Sequence, residues 1–361
     1  MEAKFDLELY LKDGTENLLK TAMRASASNP SMTMFLTKFA RVVQKTAQKN
    51  NLRRFRHIPP VMTISVTEEC NLRCGGCYTK GSRMWMEERD LHMLSDKEWA
   101  DVFAQARRLG MQYIIMTGGE PLIRRDVIRV AGKMQDIIFP IFTNGTMINR
   151  SMIRAFDRYR NLIPFINIGE SQESVDKQKG LGIYRGLMQV MDLLYYNEIF
   201  FGATISVTAK NVDTIATKDF INMLQIRGCR ALVFLEDVPP GEKAGEYILQ
   251  DRHRYFLEEQ INDLKKQYDD FLFLTFPGDV KKTDGCLGSG RGFMHINSFG
   301  NVEPCPFTGY SDTNIRTTSL EDAVSSSALL QIQEGGMLQK DEMGRCILFE
   351  KENYEQDIVN K

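Results

Sequence analysis

The sequence has no long apolar run, no excess of one charge and no secretory signal. No stretch of it approaches the roughly 18 consecutive apolar residues of a membrane-spanning helix. Its 46 basic side chains balance 47 acidic ones, so no overall field attracts nucleic acid. The first six residues, MEAKFD, lack the basic-then-apolar order of a signal peptide. We therefore expect a cytoplasmic protein with no nucleic-acid partner and no membrane contact.

Internal repeats and low-complexity tracts are also missing, and the cysteines do not suggest a disulfide framework. Seven cysteines are an odd number in a chain of 361 residues without a signal. Such thiols are better suited to metal binding or remain free. The length exceeds that of most compact domains, but it fits an α/β barrel with appended segments.

The first predicted segment, residues 1–58, is helical. Phe35 and Phe39 share one face of a predicted helix, and seven Lys or Arg with no acid occur from Lys38 to His57. A basic helix of this kind lies on a membrane surface, holds an acidic peptide, or exposes the solvated face of a helix that packs on the main domain. The last interpretation is the simplest.

From Pro59-Pro60 onward, short β-rich runs alternate with longer helical patterns. This alternation predicts a parallel sheet buried on both faces. The predicted strands are Val61–Val66, Tyr113–Thr117, Ile137–Phe142, Ile163–Ile168, Phe201–Val207 and Leu232–Glu236. The predicted helices are Asp96–Leu109, Arg125–Gln135, Asn149–Tyr159, Tyr184–Asn197, Thr214–Ile226 and Asp251–Tyr268. Six βα units are too few for a full barrel, so we predict an α/β fold with a partial (β/α)6 TIM-like barrel over residues 59–280. Its ligand site lies at the carboxyl ends of the strands.

Three cysteines stand together in the stretch ECNLRCGGCY, at Cys70, Cys74 and Cys77. They follow the first predicted strand directly, where a βα loop lies over the strand ends. Such a loop binds zinc or an iron–sulfur cluster. Structural zinc usually takes four ligands, and the next His or Cys is His92, so zinc is the second choice. Three thiolates on a four-iron cluster leave one iron open to a small molecule.

This Cys-x3-Cys-x2-Cys spacing after the first strand of a βα series resembles the signature of the radical S-adenosylmethionine (SAM) superfamily. The resemblance implies a [4Fe-4S] cluster on Cys70, Cys74 and Cys77, whose open iron binds the methionine part of SAM. It also implies reductive cleavage of SAM to a 5'-deoxyadenosyl radical that abstracts hydrogen from a substrate. An electron donor such as flavodoxin or ferredoxin is then required. The rival interpretation is a non-catalytic iron–sulfur or zinc protein.

Further segments at the predicted strand ends resemble SAM contacts of the superfamily. Gly118-Gly119-Glu120-Pro121 resembles the GGEP segment that contacts the amino group of SAM, because glycines allow close approach and a carboxylate suits an ammonium. Alone, the segment is also a βα turn with Pro121 at a helix start. Thr143 and Asn144 begin a TNG segment after the third strand. Asn167 and Glu170 flank the end of the fourth, where ribose contacts are common in the superfamily.

Two positions depart from the superfamily pattern. Asp176-Lys177-Gln178-Lys179-Gly180 resembles an Asp-x-x-Arg-Gly segment of the peptide-modifying branch, with Lys179 in place of the Arg and without its bidentate fork. Gly76 stands where an aromatic residue usually precedes the third cysteine, and Tyr78 resembles the residue near adenine. Ser206 is either a ribose contact or a satisfied strand serine.

The remaining cysteines suggest a second, small domain over residues 281–361. Cys286, Gly300 and Cys305 give a spacing that resembles the opening of the SPASM extension or of its shorter relative, twitch, which carries auxiliary iron–sulfur clusters. A full SPASM continuation is missing, and only Cys346 follows. We predict a twitch-like domain with one auxiliary cluster on Cys286, Cys305 and Cys346. The alternative is a hairpin domain with buried thiols and no metal.

The substrate is the least defined part of the prediction. Glu236 ends the sixth predicted strand and is either a substrate-side group or a carboxylate satisfied by its own loop. The resemblance points to modification of a peptide or protein, whereas other members act on small molecules. Residues 1–58 lack the strand pattern of a leader-peptide-binding domain, which weakens the peptide interpretation. A lipid substrate is suggested only by the basic helix.

Overall fold

The computed structural model describes residues 5–50, 57–75, 77, 92–236, 246–278, 280, 282–283, 285–335, 338–339 and 346. All six predicted strands are present within this part of the chain, with ends that differ by at most two residues. Their bounds are β1 Val61–Ser65, β2 Tyr113–Thr117, β3 Phe139–Thr143, β4 Leu162–Ile168, β5 Gly202–Val207 and β6 Ala231–Glu236.

Three further strands extend the same sheet. They are β7 Leu272–Phe276, β8 Phe293–Ile296 and β9 Val302–Glu303, and the strand order is β7-β6-β5-β4-β3-β2-β1-β8-β9. All neighbours from β7 to β8 are parallel, and β9 pairs antiparallel with β8. Strands β8 and β9 form a hairpin around Gly300, and β8 joins the edge of β1. The fold class is confirmed as a curled, partial barrel of parallel strands with helices at the amino terminus.

Helices pack on both faces of this sheet, and most agree with prediction. Their bounds are α1 Leu7–Ala25, α2 Pro30–Asn50, α3 Asp96–Leu109, α4 Arg125–Lys133, α5 Arg150–Arg158, α6 Gln172–Lys179, α7 Ile183–Tyr196, α8 Val212–Ile215, α9 Lys218–Ile226, α10 Asp251–Gln267, α11 Leu320–Ala323 and α12 Ser327–Glu334. Helix α3 begins with a capping box, in which Ser95 and Glu98 bond to each other's backbone N–H groups.

Several helices differ from the sequence prediction, which gave no helix at α11 or α12. The single helix predicted over 214–226 is two helices, because Thr217 caps α9 by accepting from the N–H of Phe220. Helix α6 was not predicted, since Val175 is its only buried residue and an almost wholly polar segment has no apolar period to detect.

Helices α1 and α2 pack against the inner face of the sheet at the amino-terminal ends of its strands. Phe35, Leu36 and Phe39 of α2 share a buried cluster with Tyr113 and Val233, and the rings of Phe39 and Tyr113 lie 5.9 Å apart. The basic face of α2 is exposed. The opposite face of α2 packs on the main domain, as the simplest interpretation requires, and exposure of the basic face fits all three interpretations.

The two edges of the curled sheet approach each other through aromatic contacts. Phe276 of β7 lies 5.1 Å from Phe293 of β8, and 6.1 Å from Phe307, measured between ring centroids. A side chain built at Gly292 would lie 3.2 Å from Leu11 of α1, so α1 borders the same gap. Among the described residues, no helix is both long and apolar enough to cross a membrane.

Candidate radical SAM site

The three clustered cysteines lie on the loop that leaves the carboxyl end of β1. Cys70 is exposed, and Cys74 and Cys77 are half-buried. The loop is anchored at its far side, where the N–H of Gly75 donates to the carbonyl of Gln178 in α6 at 3.0 Å. Its thiols thus sit over the ends of the strands, where the sequence placed them.

Gly118 and Gly119 pack edge to edge against the start of the cysteine loop. The N–H of Gly119 donates to the carbonyl of Thr67, and that of Glu120 to the carbonyl of Glu69, both at 2.8 Å. A Cβ at Gly118 would lie 2.4 Å from the Thr67 carbonyl oxygen, and one at Gly119 would lie 2.1 Å from that of Glu69. Glycine is required here because two backbone segments touch.

Glu120 is fully buried and accepts from groups of the protein itself. Its Oε1 accepts from the N–H of Leu122 at 3.0 Å and from the hydroxyl of Thr143 at 2.7 Å, and its Oε2 accepts from the N–H of Asn144 at 2.8 Å. Burial raises the pKa of this carboxyl, and the bonds to Thr143 and to the N–H groups of Asn144 and Leu122 partly oppose that rise. The carboxylate joins two strand-end segments, an arrangement that does not favour the predicted contact with an ammonium group.

Asn144 connects the third strand end to the cysteine loop. Its Nδ2 donates to Asn71 Oδ1 at 3.0 Å and lies 3.7 Å from the Sγ of Cys70. The N–H of Leu72 lies 3.4 Å from the same sulfur. Thr143 is therefore linked to the Gly118-Gly119 segment through Glu120, and Asn144 is linked to the cysteine loop through Cys70. Both residues lie at strand ends next to that loop.

Lys179 and Asn167 meet at the end of β4. The Nζ of Lys179 donates to the backbone carbonyl of Asn167 at 2.6 Å and to its Oδ1 at 2.5 Å, and Asn167 Nδ2 donates to Thr204 at 3.1 Å. Burial lowers the pKa of Lys179 to about 8, and the charge of Cys74 opposes this shift. Lys179 thereby brings a cation to the side of the cysteine loop.

The other predicted residues lie farther from these contacts or outside the described residues. Pro121 starts a short 3-10 turn and is buried, and Glu170 and Ser206 are half-buried at the ends of β4 and β5. Tyr78 lies outside the described residues.

Glu236 faces away from the barrel interior. Its neighbours in alternate positions, Leu232 and Phe234, belong to the core under the outer helices, so strand alternation places Glu236 on that face. The guanidinium of Arg254 in α10 donates to both carboxylate oxygens of Glu236. This pair joins β6 to α10 and does not favour the predicted substrate-side role.

The carboxyl-terminal cysteines come within electrostatic reach of each other. Burial, followed by the charges of Cys346 and Cys286, raises the pKa of the Cys305 thiol. The N–H of Gly288 lies 3.4 Å from Cys286 Sγ. Cys305 lies two residues before Phe307, whose ring contacts Phe276 of β7.

The donor set at the β1 loop fits an iron–sulfur cluster. Three thiols share one loop, and N–H groups of Leu72 and Asn144 approach the Cys70 sulfur, as cluster sulfurs commonly receive hydrogen bonds. Within the described part of the chain, no three His, Cys, Asp or Glu side chains are already grouped as a metal site. The loop must therefore draw its sulfurs together around the cluster.

Sequence reasoning missed a buried polar network between β1, β8 and β9. The Oγ1 of Thr63 donates to the carbonyl of Met294 at 3.2 Å and lies 2.9 Å from His295 Nδ1, while Ser65 Oγ lies 3.1 Å from His295 Nε2. Burial lowers the pKa of His295 to about 3, so the imidazole is neutral. The only signal in the sequence was a polar residue at alternate positions of an apolar strand.

A second missed residue, Arg124, holds the end of β1. Its guanidinium donates to the carbonyls of Val66 and Leu94, both at 3.1 Å, and pairs with Asp126. An Arg before a helix has no distinctive sequence signature, so its partners emerge only from the fold.

Comparison with protein families matches the description "Radical SAM superfamily" to residues 64–194. PqqA peptide cyclase of Rhizobium meliloti is 30% identical over 281 residues, which cover 73% of each chain. AdoMet-dependent heme synthase of Methanosarcina barkeri is 26% identical over 72% of this chain and 80% of that protein. Molybdenum cofactor biosynthesis protein 1 of Dictyostelium discoideum is 27% identical over 80% of this chain, which spans only 48% of that protein's length.

Solved structures share the fold at low sequence identity. Streptococcus suis SuiB bound to S-adenosylmethionine has a TM-score of 0.65 at 17% identity, covering 85% of this chain and 75% of that one. SuiB bound to its precursor peptide SuiA gives a TM-score of 0.61 at 15% identity, covering 85% and 74%. The cysteine loop, the strand-end segments and the identity with the peptide cyclase all indicate the same superfamily. This chain is an enzyme and belongs to the radical SAM superfamily.

Proposed function

We propose that the enzyme cleaves SAM reductively at a [4Fe-4S] cluster held by Cys70, Cys74 and Cys77. The observation that carries this proposal is the meeting of the cysteine loop with the Gly118-Gly119 segment and Asn144 at one end of the barrel. A cluster bound there would supply one electron to the sulfonium of SAM, the chemistry that releases methionine and a 5'-deoxyadenosyl radical able to take a hydrogen atom from the substrate. The electron comes from a donor of the flavodoxin or ferredoxin class.

The protein's own residues position the cofactor in this proposal. Gly118 and Gly119 bring backbone N–H and carbonyl groups to the cysteine loop, and Lys179 supplies a cation beside it. Glu120 and Thr143 act through the backbone that they hold. The remaining proposed SAM contacts are Tyr78, Pro121, Asn144, Asn167, Glu170 and Ser206.

We propose a peptide or protein side chain as the substrate. Two comparisons support this: the relative with 30% identity is named a peptide cyclase, and SuiB, which has the same fold, is described with its precursor peptide bound. A small-molecule substrate is the second candidate, because the heme synthase relative aligns over 80% of its own length.

We further propose that residues 281–361 form a twitch-like unit in which Cys286, Cys305 and Cys346 hold an auxiliary iron–sulfur cluster. Support comes from the thiolate charges that act on Cys305. If this is so, Cys286→Ala should lower the iron content by about four per chain and leave SAM cleavage in place. Unchanged iron would favour free thiols.

Deuterium transfer tests the substrate class even while the substrate itself is unidentified. An extract of source cells grown in deuterated medium is separated by ultrafiltration into macromolecules and small molecules, and each fraction is incubated anaerobically with the reduced enzyme and unlabelled SAM. A peptide or protein substrate predicts deuterium in 5'-deoxyadenosine from the macromolecular fraction alone, and loss of this signal after protease treatment. Deuterium only from the small-molecule fraction would establish the second candidate. The variant with alanine at Cys70, Cys74 and Cys77 is the control and should give no 5'-deoxyadenosine.

A further inference from the structure

Strands β1 to β8 present no charged side chain of their own on the inner face of the barrel. Because successive strand residues point to opposite faces, the residues that alternate with the outer core face inward. No inward residue of β1 to β8 is Asp, Glu, Lys or Arg. The inward histidine, His295, is neutral because burial lowers its pKa to about 3. Glu303 of β9 lies on the same face, 3.8 Å from His295 Nε2, and burial raises its pKa to about 8.

The amino-terminal half of this inner face is filled, and the carboxyl half is not. Helices α1 and α2 cover Tyr113, Ile163 and Val233, each of which is less than 8% exposed. Farther along the strands, the inward apolar side chains are only half-buried. This half-buried layer consists of Ile115, Phe142, Leu235, Leu274 and Phe276.

Among the described residues, this layer is covered on its amino-terminal side and partly exposed toward the strand ends. Phe142, Leu235 and Leu274 rest on the cluster that contains α2. The contact between Phe276 and Phe293 restricts access from the gap between the sheet edges. The open direction is therefore the carboxyl end, where the cysteine loop lies.

We infer that the group presented to the radical is part of an uncharged, apolar moiety of the substrate, and that Leu235 and Leu274 form the end wall of the space that receives it. The inference deepens the proposed function and rests on it. An apolar moiety gains by covering exposed apolar side chains. A charged one would lose its water against Ile115, Phe142, Leu235 and Leu274, which offer no counter-charge. The cation of Lys179 lies at the end of β4, where it bonds to Asn167.

Three side-chain analogues test the inference on the anaerobically reconstituted enzyme with SAM present. The probes are N-acetyl-tryptophanamide, N-acetyl-lysinamide and N-acetyl-glutamic acid α-amide, followed by equilibrium dialysis. We expect the tryptophan amide to bind at least about tenfold more tightly than either charged amide, a ratio that corresponds to about 1.4 kcal/mol. Leu274→Trp fills the space and should weaken its binding at least about tenfold.

Two further variants guard against a trivial result. Leu235→Trp fills the same space from the neighbouring strand and should weaken binding of the tryptophan amide in the same way. It replaces Leu274→Trp if that variant fails to fold. Leu330→Trp adds the same ring at a site on α12 that is 40% exposed and should leave binding unchanged. Equal or tighter binding of a charged amide, no saturable binding of any amide, or native binding by both folded wall variants would overturn the inference.

Failure of the proposed function is distinguishable from failure of this inference. Cleavage of SAM by the native enzyme, measured in the same preparations, tests the former alone. Tryptophan-amide binding without SAM cleavage would reject the proposed reaction and retain the apolar site. Cleavage of SAM with indiscriminate amide binding would reject only the apolar site.

Discussion

Replacing Glu120 by Gln tests whether this buried carboxylate serves the protein framework or the cofactor. Glu120 is 0% exposed, and three protein donors meet its two oxygens. The Gln carbonyl keeps the bonds from Leu122 and Thr143, while its amide meets the N–H of Asn144 donor to donor. That single mismatch costs about 1–3 kcal/mol, offset by removal of a buried charge. Glu120→Ala removes the acceptor for all three donors, and we expect a loss of at least about 3 kcal/mol.

The pH dependence of this effect has a defined sign. Burial raises the folded-state pKa of Glu120, so above the ordinary carboxyl pKa the unfolded chain ionises before the folded one. Its stabilising contribution is complete below the unfolded pKa and is lost as pH rises through the folded pKa. Urea midpoints of the native protein and Glu120→Gln should therefore converge as pH rises above the ordinary carboxyl pKa. The exposed control Glu334→Gln should give a constant difference.

The SAM affinity of Glu120→Gln tests whether Glu120 serves only the protein framework. If Glu120 faces only the protein, folded Glu120→Gln should bind SAM within about threefold of the native enzyme. A charge-assisted bond to the SAM ammonium, about 1.5–3 kcal/mol, would instead cost roughly 10- to 150-fold. A loss of that size in a variant with normal iron content would refute the framework role.

Three other substitutions test separate parts of the structure. Gly119→Ala places a Cβ 2.1 Å from a backbone carbonyl oxygen, so the cysteine loop must move. SAM cleavage should therefore fall more than about tenfold. The control Gly186→Ala, which has open space around it, should retain full cleavage. Phe39→Ala should lower the free energy of unfolding in urea by about 3–5 kcal/mol, against less than about 0.5 kcal/mol for Met34→Ala on the exposed face of the same helix. Because the pKa of His295 is lowered to about 3, the native protein should lose stability as pH falls from about 6.5 toward 3, and a folded His295→Asn variant that lost it equally would exclude this histidine as the cause.

Local sequence patterns were sufficient for the six βα strands and most helices. The strands are continuous apolar runs because both faces of a parallel sheet are buried, and signals such as Ser95 and Glu98 define a helix start within four residues. Strand β8 was harder to relate to the barrel, because its pairing with β1 joins residues more than 200 positions apart in the chain. Helix α6 lacked an apolar period and was missed.

The candidate site was likewise predictable only where its residues lie close together in the sequence. The Cys70, Cys74 and Cys77 spacing lies within eight residues, so the sequence alone indicated a cluster loop. The partners of Glu120 and Glu236 depend on which face each side chain takes and on which element lies opposite, neither of which a spacing motif specifies. Arg254 therefore had no sequence link to Glu236, although the two residues form one ion pair.

The most direct test of the central claim is anaerobic iron and sulfide quantitation combined with SAM cleavage. The native chain is compared with the variant that carries alanine at Cys70, Cys74 and Cys77. We predict that the variant loses about four irons per chain and all 5'-deoxyadenosine formation. The account would be contradicted if the native protein, fully loaded and reduced, failed to cleave SAM, or if the variant still cleaved it.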